Sequence, residues 1–164
     1  LLSVGLIPEN ELTKGADIEI DRVTNGALVD QNRQTCIDGI FACGNVLHVH
    51  DLVDYVSDEA EIAGEAAARY INGGLKADDE ILIETDGKIR YTVPQRITNI
   101  EDAAVFFRVS NVYKNARLCV YSGNDKIYTK KLLKAVPGEM NRIVLKKDAL
   151  RSGEKLYFEL EESV

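Results

Sequence analysis

Residues 51–71 place apolar side chains at three- and four-residue steps: Val56, Ala60, Ala63 or Gly64, Ala67, and Tyr70 or Ile71. That spacing lines one stripe of an α-helix. Almost every member of the stripe is small. A leucine stripe holds its neighbour a side chain away, whereas this one lets a sheet or a flat ligand approach closely. The face is expected to pack at short range, and any part left in water is expected to be covered by a second copy of the chain, because exposed apolar surface favours association. Asp51 is the expected N-cap, and Asn72-Gly73-Gly74 the expected stop. Just upstream, Ile40 to Cys43 is too short an apolar run for a helix and ends at Gly44, which suits a buried strand closing in a tight turn. A strand, a glycine turn and a helix N-terminus together present N–H groups and a positive dipole end to an anion.

Residues 1–35 read as short strands and turns. Ile18 and Ile20 alternate with Glu19 and Asp21, Asn25-Gly26 is a hairpin signal, and Ala27-Leu28-Val29 is the expected returning strand. The segment Asn72-Gly73-Gly74-Leu75-Lys76-Ala77-Asp78-Asp79 combines glycine and charge without periodicity and reads as a domain boundary. Beyond it the texture changes. Residues 81–83, 89–93, 103–110, 117–121, 126–133, 141–145 and 155–160 are runs rich in β-branched and aromatic residues, parted by Asp86-Gly87, Gly123-Asn124, Pro137-Gly138 and Ser152-Gly153. About seven short strands without a helix predict an antiparallel sandwich of immunoglobulin-like architecture. A module of about 86 residues can bury a core without disulfides. The basic run Lys126-Ile127-Tyr128-Thr129-Lys130-Lys131 reads as an exposed edge strand, where lysines discourage pairing with other chains.

The stretch Gly39-Ile40-Phe41-Ala42-Cys43-Gly44-Asn45, with an alanine-rich helix behind it, resembles the second flavin-contacting motif of the pyridine nucleotide-disulfide oxidoreductases. In the thioredoxin-reductase-like members that motif usually reads Gly-Ile/Val-Phe-Ala-Ala/Cys-Gly-Asp. Val4-Gly5-Leu6-Ile7-Pro8-Glu9-Asn10-Glu11-Leu12 resembles the family's return segment from the nicotinamide-binding domain. Asn25-Gly26-Ala27-Leu28-Val29-Asp30 resembles the turn and strand that lead into the motif. The resemblance covers residues 1–72. It implies an α+β two-part chain: a partial FAD-binding Rossmann-like α/β segment over residues 1–76, then the all-β immunoglobulin-like sandwich over residues 77–164. It further implies the C-terminal portion of an FAD-dependent oxidoreductase, in which NAD(P)H passes a hydride to FAD and FAD reduces an acceptor.

By the same resemblance, Gly44 and Asn45 would meet the ribityl chain, and Leu52, Val53, Asp54, Tyr55 and Val56 would form the helix N-terminus facing the flavin pyrimidine ring. Asn45 departs from the family's acidic residue: its amide oxygen can accept a hydrogen bond, but without the charge. Read from the residues alone, Asn45 is a turn residue, and the helix is an ordinary capped amphipathic one. Asp51, Asp54, Asp58 and Glu59 suit N-terminal capping under either reading. No catalytic residue is assigned. The G-x-G-x-x-G turns that bind dinucleotides are missing from these 164 residues. The chain on its own is therefore expected to bind no FAD and to be inactive, its partner being the rest of the parent flavoprotein. A different class of reading stands beside this one, a non-catalytic interaction or dimerisation module.

His48-Val49-His50-Asp51 offers ligand types for zinc or iron, but nothing nearby in sequence completes a site, so no metal is assigned. A loop lining a cleft, or plain solvent exposure, is preferred. Cys36 and Cys43 do not have the spacing of a redox disulfide pair; Cys43 and Cys119 read as small core residues. Three cysteines without C-x-x-C fit free thiols in a reducing cytoplasm. A net charge of −7 with no basic stripe argues against nucleic acid and anionic membrane as partners, and no segment has the length of a membrane span. The start, Leu1-Leu2-Ser3-Val4-Gly5, has neither the charged region nor the cleavage site of a signal peptide, and it begins without methionine, which reads as a fragment.

Overall fold

The computed structural model describes residues 5–75 and 80–162. Leu1, Leu2, Ser3 and Val4, read above for a leader, and Lys76, Ala77, Asp78 and Asp79, read as boundary, lie outside the described residues. The chain is α+β and mostly β. It divides into two compact units, Leu1–Lys76 and Ala77–Val164. Among the described residues no helix is long and apolar enough to cross a membrane.

The first unit has less strand than its alternation predicts. A short helix, α1 (Glu11–Gly15), stands where a strand was expected. Its first turn is closed by the Lys14 N–H donating to the Asn10 carbonyl at 3.0 Å and by the Thr13 hydroxyl donating to Asn10 Oδ1 at 2.8 Å. The expected hairpin around Asn25-Gly26 shrinks to one bridge, Ile20 with Ala27. The cause is Asp21: its Oδ1 accepts the N–H groups of Val23 at 2.8 Å and Thr24 at 2.7 Å, which widens the turn beyond the two-residue form. Gly26 is still obligatory, because a Cβ there would lie 1.8 Å from the Leu47 carbonyl oxygen.

The expected buried strand at Ile40 to Cys43 is likewise a single bridge, Gln34 with Phe41. Ile40 is exposed, and Phe41, Ala42 and Cys43 are only half-buried. Asp30 is responsible. Its Oδ1 accepts the N–H groups of Asn32 at 2.8 Å and Gln34 at 2.9 Å, Arg33 takes a left-handed φ of 65°, and the chain bends before a ladder can extend. A 3-10 turn, Gly44–Val46, follows.

The long helix is α2 (Val53–Ile71). Asp51 is not its cap: the N-cap is Leu52, in extended conformation, without a side-chain hydrogen bond. Its end is the predicted one. Gly73 adopts a φ of 71°, its N–H donates to the Tyr70 carbonyl, and the Gly74 N–H donates to the Arg69 carbonyl, both at 2.9 Å. That is the paired-bond stop a left-handed glycine supplies. The buried face, however, is Glu59, Ala63 and Ala66, while Ala60 and Gly64 are exposed. The stripe is turned by one residue, roughly 100°, from the all-apolar one. A carboxylate holds the middle of it.

The second unit is built of β1 (Ile81–Thr85), β2 (Ile89–Val93), β3 (Arg96–Ile97), β4 (Ala103–Val109), β5 (Tyr113–Ser122), β6 (Asp125–Ala135), β7 (Asn141–Leu145) and β8 (Leu156–Glu162). One sheet runs β3-β1-β8-β5-β6 and the other β2-β4-β7. Pairing is antiparallel except between β1 and β8, where Ile83, Glu84 and Thr85 lie parallel to Leu156, Tyr157 and Phe158. Alternate residues of both sheets, among them Val105, Phe107, Leu118, Val120, Ile143, Phe158 and Leu160, share one hydrophobic cluster. The Asp86 carboxylate stitches the β1–β2 turn to β8, accepting the N–H groups of Lys88 and Ile89 on Oδ1 and of Leu160 on Oδ2. Strand β6, with Lys126, Lys130 and Lys131, is the end of its sheet. Cys119 is buried in β5, its sulfur 3.9 Å from Thr129 Oγ1. Among the described residues the helical content of this unit is one 3-10 turn, Lys147–Ala149.

Candidate functional site

Glu59 lies near the middle of α2 with no exposed surface. Four donors converge on its carboxylate. Arg33 Nε at 2.9 Å and His48 Nε2 at 3.2 Å meet Oε1. His50 Nε2 at 2.9 Å and the Gly44 N–H at 2.8 Å meet Oε2. A carboxylate has about four acceptor positions, so this one is filled. The two imidazoles stand edge to face, with centroids 4.3 Å apart. Each donor arrives from a different local device: Arg33 from the Asp30 turn, Gly44 from a left-handed φ of 74°, and the histidines from the loop leaving the 3-10 turn, where the His50 N–H donates to Asn45 Oδ1 at 3.1 Å.

Burial alone would raise the Glu59 carboxyl, but the hydrogen bonds from His48 and His50 and the charge of Arg33 outweigh it and hold it far below the usual carboxylate range. Burial acts the other way on His48 and lowers its pKa, despite the neighbouring carboxylate. Neutral His48 then donates through Nε2–H. Cys43 is raised, first by burial and then by the charge of Glu59, so it is a thiol and not a nucleophile.

These positions overturn two sequence readings. His48 and His50 are buried and face inward, where solvent exposure was preferred. Glu59 is no capping acid but the anchor of the unit. The signal that could have found it was its place at i and i+4 with Ala63, on the apolar side of the helix.

The residues expected at a flavin lie together at the other side of this anchor. Gly44 is buried, and a Cβ on it would come within 3.4 Å of Val56 Cγ1. Asn45 is exposed; with one acceptor position on Oδ1 given to His50, it keeps a second and its NH2 group. Leu52, Val53 and Asp54 are exposed and Tyr55 and Val56 half-buried, at a helix start that has no side-chain cap. Sequence reasoning missed Asn10. Its Nδ2 donates to the Asn25 carbonyl at 2.7 Å and the Val46 carbonyl at 2.8 Å, joining the return segment, the Asn25-Gly26 turn and the glycine turn.

A curated protein described as ferredoxin–NADP reductase, from Leuconostoc mesenteroides subsp. mesenteroides, is 33% identical to this chain over 94 residues. The match takes in 54% of this chain and 28% of that protein, so the chain spans well under a third of the relative's length. It relates part of the chain to a flavoprotein oxidoreductase. No family model matches the chain. No solved structure matches it either.

Proposed function

We propose that the chain is the C-terminal part of an FAD-dependent NAD(P)H oxidoreductase of the pyridine nucleotide-disulfide class. The observation that carries this is the Asn10 amide. It gathers the three segments that resemble the family, and the similarity to a ferredoxin–NADP reductase points the same way. Gly44 and Asn45 with Leu52, Val53, Asp54, Tyr55 and Val56 form one wall of the flavin site. The residues fit that role. An uncapped helix start offers N–H groups to an electron-rich ring, exposed Leu52 and Val53 offer it apolar surface, and Gly44 keeps the backbone low. Bound FAD would supply hydride acceptance from NAD(P)H. The chain's own part is to hold the turn and the helix start in place, and Glu59 does this from behind by fixing the Gly44 N–H.

Residues 1–76 are the remainder of the flavin-binding domain on this reading, and residues 77–164 an immunoglobulin-like sandwich appended to it, in a cytoplasmic protein that forms homodimers. A longer polypeptide containing this chain tests the proposal. It should purify with flavin absorbance, carry two G-x-G-x-x-G turns and oxidise NAD(P)H. A longer polypeptide with neither flavin nor those turns would overturn it.

A further inference from the structure

The objection to a metal at His48-Val49-His50 was that nothing nearby in sequence completes a site, and the fold removes it. Glu59 reaches the pair across nine residues from His50 and eleven from His48. One ligand atom from each of His48, His50 and Glu59 falls within 4.8 Å of the others, and all three side chains are buried. We propose that these residues bind a divalent transition cation, zinc(II) in the first instance.

The geometry favours one location for the ion. Each imidazole aims Nε2 at a different carboxylate oxygen, at 3.2 and 2.9 Å. Ligands bound at zinc's usual distances of ~2.0–2.2 Å stand roughly 3.3 Å apart in a tetrahedron. The gaps present differ from that by a few tenths of an ångström. The cation takes the place of the two Nε2 hydrogens, between the rings and the carboxylate. Each neutral histidine gives up its Nε2 proton to solvent and takes one at Nδ1, so binding from neutral rings releases no net proton. Arg33 Nε and the Gly44 N–H keep their own bonds to Oε1 and Oε2 and orient the ligating carboxylate, as outer partners of metal ligands do. Two imidazoles and a carboxylate are a borderline set that suits zinc better than magnesium or calcium.

Arg33 gives the proposal its sharpest consequence, because its charge competes with the cation for Glu59. Calorimetric titration of the whole chain with zinc chloride should show one site. His50→Ala should weaken it about tenfold or more. Arg33→Met should tighten it by a comparable factor, and zinc should restore the melting temperature that this variant loses. A purely structural cluster predicts the reverse for Arg33→Met, a destabilised protein that zinc does not rescue. Should His50→Ala fail to fold, nitrogen-15 NMR of the wild type decides. Zinc is expected to move the Nε2 resonances of both histidines. No binding, binding indifferent to His50, or Nε2 resonances that stay in place would overturn the proposal.

Discussion

The side-chain amide of Asn10 donates to the carbonyl oxygen of Val46 at 2.8 Å, spanning 36 positions of sequence with a single bond. The same nitrogen reaches Asn25 at 2.7 Å, so one NH2 group is spent wholly on two loops. Asn10→Ala strands both carbonyls. At about 1–3 kcal/mol for each buried group left without a partner, the expected loss is about 2 kcal/mol or more. Hydrogen exchange of peptides within residues 5–75 should show it as faster opening there, with residues 80–162 unchanged.

Glu59→Gln keeps the shape of the anchor and removes its charge. Arg33 then has lost its buried counter-charge, and breaking such a pair typically costs on the order of 3–5 kcal/mol. Denaturant unfolding of the variant checks this. A midpoint within error of wild type would mean that Arg33 finds its compensation elsewhere.

Stability should fall as the solution is acidified, and the sign follows from the site. The folded His48 pKa is depressed from its ordinary 6.5, so the unfolded chain takes up a proton first. Its contribution is present above about pH 6.5 and lost progressively below it. Glu59, also depressed from its ordinary 4.5, adds a second loss of the same sign as pH drops through and below that value. Thermal melts from pH 8 to pH 4 (values chosen to bracket about 6.5 and 4.5), with chelator present, should show a decline beginning near the first value.

The rotated helix face separates two substitutions that the apolar pattern treats alike. Ala63 is buried, so Ala63→Leu should overpack and cost about 1–3 kcal/mol. Gly64 has open space where a Cβ would go, so Gly64→Leu should stabilise, by up to about 1 kcal/mol through helix propensity. Midpoints of chemical denaturation that move in opposite directions would establish which face is inward.

Gly26→Ala tests the contact between two loops. With a Cβ 1.8 Å from the Leu47 carbonyl oxygen, backbone must shift. The variant should expose Leu47, which is fully buried, and lose several kcal/mol. Proteolysis between residues 21 and 50 should accelerate.

Much of this architecture was legible where a local rule decided it. The stop at Gly73 needed only a left-handed residue, and the Gly123-Asn124 turn between β5 and β6 needed only its two residues. Alternation in Leu118, Val120, Leu156, Phe158 and Leu160 put those side chains in the core. What failed was long-range. Nothing in residues 18–29 says that Asp21 will take two N–H groups and leave one bridge of a hairpin. The histidines and Glu59 read as polar surface because their desolvation is offset only by each other and by Arg33, and those partners lie 9, 11 and 26 positions from Glu59. A period-based reading scores each of them as solvated, and so turned α2 by one residue.

The parallel pair of β1 with β8 has a consequence for the order in which the second unit can form. Ile83 meets Leu156, and β8 also lies between β1 and β5 in the sheet order. A ribosome must therefore complete Leu156–Glu162 before the central strand of the five-stranded sheet exists. Until then β1 and β5 have no common neighbour, and their apolar faces wait uncovered. Contacts this distant in sequence make for slow folding, and a nascent chain in that condition is a client for chaperones. The lysines of β6, which can pair with β5 before β8 is made, then guard the outer edge of a sheet that is still unfinished.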